Sequence, residues 1–377
     1  MKRIYQFCTI LLILSVFLFS GCEEPEIGIF YSLEIEEKII DAQLPNDLVV
    51  SGFAELDNQY YIAAYSFYKK DDTADTWQQE TNLPEGYSGG IIDTAVFNSS
   101  VYALATTADG SAQALFTYDA SDGTWSEVTV NSEVSMYGEL FTVNGSLCIN
   151  GVTSNSETGQ YQYTLYASSD ASTFTQTAIV NSPQPANAGA FDSTNYWITA
   201  GNRLFSGADF TALAAVTDIS SDSFNDVLYS SEYSAVFVTT AEGIVLAYRD
   251  NEWIESGKLV DSTDDPVMLT ALAEYTEGEV DYLLIGSGAD GHGSSSQGYF
   301  QIALSEISEW TSLPTPATPK LNSYIVSDLR YAAVIDFHVD TENVADGVAT
   351  SVLYACTTEG LWVNTPQEDG TRLWSWE

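Results

Sequence analysis

The sequence predicts an all-β chain, a seven-bladed β-propeller of four-stranded antiparallel blades. Three observations predict it. Short apolar or aromatic runs alternate with Gly, Asn, Asp and Ser turns after residue 30, without a strong amphipathic helix signal. One strand pattern recurs at near-constant spacing. One small acidic turn recurs with it: TTADG at 106–110, TTAEG at 239–243 and TTEG at 357–360.

Each module runs as an apolar strand, a polar turn, a second apolar strand, a loop, an aromatic strand and an acidic turn leading to Trp or Phe. The second strands are YYIAA, VYALA, SLCIN, YWITA, AVFVT, YLLIG and VLYAC. They start at 60, 101, 146, 196, 235, 282 and 352, so the intervals are 41, 45, 50, 39, 47 and 70 residues. Most lie near the ~40–50 residues of a propeller blade. The third strands are SFYKKDD, ALFTYDASD, TLYASSD, RLFSGAD, IVLAYRD, GYFQIAL and GLWVNTP. Trp77, Trp125, Phe174, Phe210, Trp253, Trp310 and Trp374 are expected to open the fourth strands.

The recurring turns then join second to third strands in blades two, five and seven. Thr suits a strand end, and Gly supplies a positive φ. Asp109, Glu242 and Glu359 would stand on one face, a candidate ring for a cation or basic partner. The 70-residue interval is read as a long inter-blade loop containing TSLPTPATPK. GIFYSLEIEEKII (28–40) resembles a third and fourth strand alone; it would close the ring or begin an eighth blade. Closure removes exposed sheet edges.

Composition bounds the partners. Lys plus Arg is 11 against 53 Asp plus Glu, a formal charge of −42. Such a surface repels nucleic acid and anionic lipid and suits cationic or neutral partners. Hydrophobic residues make up 45%, enough for a sizeable core in 377 residues.

The first residues give an address. Lys2 and Arg3 precede an apolar run, Ile4 to Phe19, shorter than the ~20 residues of a membrane span. It ends in Leu18-Phe19-Ser20-Gly21-Cys22. This resembles the lipobox of bacterial lipoproteins, in the relaxed form of spirochaete lipoproteins; Phe19 stands where the box usually has Leu. The resemblance implies a signal peptide over 1–21 and acylation (palmitate) of Cys22; the strand repeats then divide the rest into a tether with possible ring-closing strands over 22–44 and the propeller over 45–377. The lipobox resemblance also implies attachment to the membrane through acyl chains, in the bacterial cell envelope, at the outer membrane, facing the periplasm or at the cell surface. Cys148 and Cys356 are expected as buried free thiols four blades apart.

The blades are similar to seven-bladed propellers of Kelch and Asp-box type. Ser168 to Phe174 (SSDASTF) looks like an Asp-box turn one residue short, and DASDGTW (119–125) is a degenerate one. Gly89-Gly90 is the one Kelch-like double glycine, outside the Kelch setting.

Catalytic sets are missing from the pattern. Histidine occurs only at His292 and His338, and there is no G-x-S-x-G, H-E-x-x-H or P-loop. A sialidase-like arginine cluster is not expected from Arg203, Arg249, Arg330 and Arg372. No enzyme activity and no cofactor are therefore expected. Two places carry candidate binding residues. Asp336, His338 and Asp340 alternate in a first strand and would share a face on the channel wall, a candidate metal triplet. Asp290 and His292 lie in the glycine- and serine-rich loop 288–298 of blade six. The expectation is a monomeric, lipid-anchored scaffold that presents a loop face to a protein partner or small ligand. An envelope-assembly scaffold or a glycan-acting enzyme are the alternatives.

Overall fold

Seven antiparallel sheets stand around one axis, and each takes its strands in chain order. We describe a computed structural model. It describes residues 44–377 without 46–47, 73, 75, 155–157, 262–263, 278, 289–297, 318–328, 330–331, 341–343, 346–347, 350–351 and 367–371. The innermost strands are Gly52–Leu56, Gly90–Phe97, Met136–Val143, Ala186–Phe191, Phe224–Ser230, Leu269–Glu277 and Val334–Asp340, for blades 1 to 7. Each packs against the next, and the seventh packs against the first.

The second strands read as continuous apolar runs because both of their faces are buried. In blade 1, Tyr60 and Ile62 pack with Val352, Tyr354 and Cys356 of blade 7. Tyr61 and Ala63 turn the other way, onto Ile91 and Ala103 of blade 2. The same alternation places Cys148 against blade 4 while Leu147 and Ile149 face blade 2. Seven hydrophobic clusters result, one between each pair of neighbouring blades. Cys148 and Cys356 are free and buried, in separate clusters.

The turns follow local chemistry. First and second strands are joined by Asp57-Asn58, Asn98-Ser99 and Asn144-Gly145, all with positive φ, as tight hairpins require. On the opposite face, Gly110, Gly243 and Gly360 of the recurring acidic turns have φ of 68°, 76° and 110°. Their threonines clamp the turn: Thr240 Oγ1 donates to Ile244 O at 2.8 Å and Thr357 Oγ1 to Gly360 O at 2.7 Å.

Blade 6 departs from the expected pattern. Among the described residues it has three strands, and Trp310 opens no fourth. After Tyr299–Ala303 the chain forms a short 3-10 turn and swings onto blade 5. There Leu313 bridges Ser256, and Trp310 lies under the Arg249 guanidinium at 4.5 Å. Ala317 alone bridges the outer edge at Gln301. The indole gains more by covering Phe237 and Tyr233 than by starting a strand. Blade 7 also holds an inserted pair, Val344–Ala345 with Val348–Ala349, between its first two strands. The long interval thus has two sources, the loop before blade 7 and this insertion.

Blades 1 and 7 are each four-stranded without 28–40, which lies outside the described residues. They meet through side chains. Tyr60 donates to Asp340 at 2.6 Å, and Lys70 and Trp77 both donate to Glu377 at 2.9 Å. Val50 N donates to Thr357 O and Leu44 N to Glu377 O. Tyr60→Phe should lower stability by about 1–3 kcal/mol, since it removes a donor from a buried carboxyl. The measure is the denaturant midpoint at unchanged m-value; an unmoved midpoint would show that this bond adds nothing to the junction.

Candidate functional site

The backbone at the channel mouth sets up the site. In blades 2 to 7 the innermost strand carries a register shift near its start, a bulge relative to the second strand. A bulge re-aims the neighbouring side chains. The residues at or beside these bulges include Asp93, Glu139, Asn187, Asp226 and Asp336. All five line one cavity of about 290 Å³ on the axis. Four blades thus supply a carboxyl group each, and among the described residues no Lys, Arg or His lines the cavity.

Two of the aspartates fasten one blade to the next. Asp93 accepts from its neighbour Thr94 N at 2.8 Å and from Leu140 N of blade 3 at 2.7 Å. Asp226 repeats this with Val227 N at 2.7 Å and Leu272 N of blade 6 at 2.6 Å. Asp336 accepts from Phe337 N at 2.8 Å. The three aspartates therefore hold equivalent positions in blades 2, 5 and 7.

Electrostatics bind the group together. Glu139 and Asp336 keep surface open to the channel, yet protein on every side displaces bulk water. Burial pushes Asp93 well up, and Glu139 and Asp336 add to it by repulsion. Burial and then Asp336 push Asp226 up to about 8. Burial raises Glu139 and Asp336 as well, with His338 partly opposing it at Asp336. Among the described residues no three His, Cys, Asp or Glu come together so as to hold a metal ion. The carboxyls face a common space without closing on one point.

A second hollow adjoins the first. About 450 Å³ lies between blades 4 and 5, bounded by Pro183, Gln184, Pro185, Asp222 and Ser223. Asn187 borders both spaces. The groove opens on the same face as the recurring acidic turns, since Gly201 and Asn202 form the corresponding turn of blade 4.

The residues singled out in the sequence fall into four groups. Asp336 lines the channel, but His338 and Asp340 do not. They share its side of the strand and meet blade 1: His338 Nε2 lies 2.6 Å from Glu55 and its ring stacks on Phe53, while Asp340 takes Tyr60. Asp109 folds its own turn. It accepts from Thr107 Oγ1 and from Ser111 N and Oγ, which holds its carboxyl down at about 2. Glu242 reaches Ser221 Oγ and Asp222 N, beside the groove. Glu359 caps nothing by its side chain; its N–H donates to Thr357 Oγ1 at 3.0 Å. Asp290, His292 and Cys22 lie outside the described residues. Asp93, Glu139 and Asp226 were missed. For the two aspartates the signal was an aspartate before Thr or Val at the place Asp336 holds in VIDF, in IIDT and FNDV; Glu139, in YGEL, carried none.

No protein-family model matches the chain, and no curated protein matches it. Among solved structures it is similar to the crystal structure of Saccharomyces cerevisiae Sqt1, at 12% identity and a TM-score of 0.51. That match covers 88% of this chain and 96% of the other. The computationally designed Ika8 protein aligns at 12% identity and a TM-score of 0.47, over 89% of this chain and 98% of that one. At such identity the likeness to Sqt1 shows the fold alone: the protein is a β-propeller.

The raised carboxyls fix a sign for pH. With Asp226 raised to about 8, the folded state binds more protons than the unfolded chain between about pH 4 and pH 8, and the raised Asp93, Glu139 and Asp336 act in the same direction. Their contribution is complete in acid and is lost as pH rises through the folded values. The melting temperature should fall from about pH 5.5 to about pH 8.5, and less steeply in Asp226→Asn. Equal slopes in both proteins would show that the channel acids do not carry the effect.

Proposed function

We propose that the protein is a lipid-anchored, extracytoplasmic binding disc that takes a cationic group of its ligand or partner into the mouth of its channel. The observation that carries this reading is the convergence of Asp93, Glu139, Asp226 and Asp336 on one cavity, with no cationic side chain in its lining among the described residues. An entering ammonium or guanidinium would displace the protons that the raised carboxyls hold near neutral pH and pair with the carboxylates so uncovered. The cavity is at the small end for ligand sites, which fits one side chain or small amine. The −42 charge would speed the approach of such a ligand. The acylated Cys22 and its signal peptide supply the anchor in this reading, with the body held at a membrane of the cell envelope.

A fluorescein-labelled tetralysine peptide tests the channel. It should bind in low salt, tetraglutamate should not, and Asp226→Asn with Asp336→Asn should weaken tetralysine by about tenfold or more. Binding that ignores both substitutions would remove the channel from the reading. The anchor is tested apart: Cys22→Ala should abolish palmitate labelling in cells, and retained label would place the lipid elsewhere.

A further inference from the structure

The exposed apolar residues of the disc are not spread evenly. Among the described residues the exposed large hydrophobics are Tyr65 at 65%, Tyr161 at 56%, Val180 at 41% and Val260 at 40%. Strand register assigns every one to the mouth face. Gly52, at the cavity, pairs with Ala63, and Ala63 with Phe67, so the turn bearing Tyr65 lies at that end. Tyr161 pairs with Ser154 beyond the start of the innermost strand of blade 3, where Met136 meets Val152. Val180 follows the fourth strand of blade 3, just before Ser182 bridges Tyr163. Val260 sits between the fourth strand of blade 5 and the first of blade 6, bridged to Pro266. The opposite face shows polar hairpin turns such as Asp57-Asn58, Asn98-Ser99 and Asn144-Gly145.

We infer that the mouth face is a protein-docking surface, and that its partner is a protein presenting a Lys or Arg side chain among apolar or aromatic neighbours. This rests on the channel reading above and names the partner's class. The four stand singly around this face, on blade 1, on blade 3 and in the connections after blades 3 and 5, and Tyr65 and Tyr161 each offer contact area with a polar tip. Charge complementarity selects the occupant: the acidic cavity opens on the same face as those groups, which do not line it, and the chain carries 53 acids against 11 bases. The groove between blades 4 and 5 continues the cavity outward, giving room for backbone on one side of the inserted cation.

Selection of a phage-displayed library of random dodecapeptides against the whole protein tests this. Enriched peptides should pair Lys or Arg with an apolar or aromatic neighbour. Their affinity should fall about tenfold in Tyr65→Ser with Tyr161→Ser, and again in Asp226→Asn. Both tyrosines are exposed, so these variants should keep the parent melting temperature. Peptides that lose affinity in Asp226→Asn alone would overturn the docking surface and leave the channel reading standing. Peptides sensitive to the tyrosines but indifferent to Asp226 would keep the surface and overturn the channel reading. Enrichment without basic residues, or no enrichment, would overturn the inferred partner, with tetralysine binding deciding the channel separately.

Discussion

Every blade depends on its neighbours for its interior. A four-stranded sheet here has no core of its own; its second strand is hydrophobic on both faces, and each face is covered only when another blade lies against it. A ring satisfies all seven sheets at once, which an open stack would not, since its end blades would leave Tyr60-like or Leu284-like surfaces wet. Packing therefore sets the closed geometry, and hydrogen bonds across the blades refine it. Asn150 exchanges both of its amide atoms with the backbone of Ala186, Thr270 donates to Val334 O, and Asn225 donates to Leu269 O. These bonds sit near the axis, where side chains are too few to pack.

The same place explains the acids. Near the axis the innermost strands bulge, and the freed backbone N–H groups need acceptors. Asp93 and Asp226 supply them across a blade boundary. A structural requirement for acceptors thus concentrates carboxyls at the mouth, and mutual repulsion then makes the mouth receptive to positive charge. Burial and Asp336 both raise the Cys356 thiol, so the nearby cysteine is held neutral and unreactive.

Much of the fold was legible in the sequence because both-face burial writes itself as runs like AVFVT and VLYAC. All seven second strands and all seven third strands lie where those runs stand. Trp310 and Phe210 were misread: Phe210 lies in the turn before the fourth strand Ala214–Ala215, and for Trp310 a turn aromatic and a docking aromatic look alike in one dimension, so that only the position of blade 5 decides between them. The site was legible in part. Strict alternation does group Asp336, His338 and Asp340 on one side, but the strand leaves the cavity after Asp336 and delivers the other two to Glu55 and Tyr60. Asp93, Glu139 and Asp226 come from different blades, and their meeting depends on ring closure and on bulges. Neither is encoded in the spacing of any single strand.

The junction of blades 7 and 1 differs from the other six in one respect. Elsewhere the chain itself crosses from blade to blade, whereas here, among the described residues, the contact is held by one hydrophobic cluster, two backbone bonds from Leu44 and Val50, and the side chains of Tyr60, His338, Lys70 and Trp77 with their acceptors. It is a seam in an otherwise continuous band. Parting it exposes one cluster and leaves the remaining six intact, so it is the least costly first step in opening the ring. The rate at which the disc opens is then set by this buried cluster together with its polar pairs at one boundary, while its equilibrium stability is shared among seven.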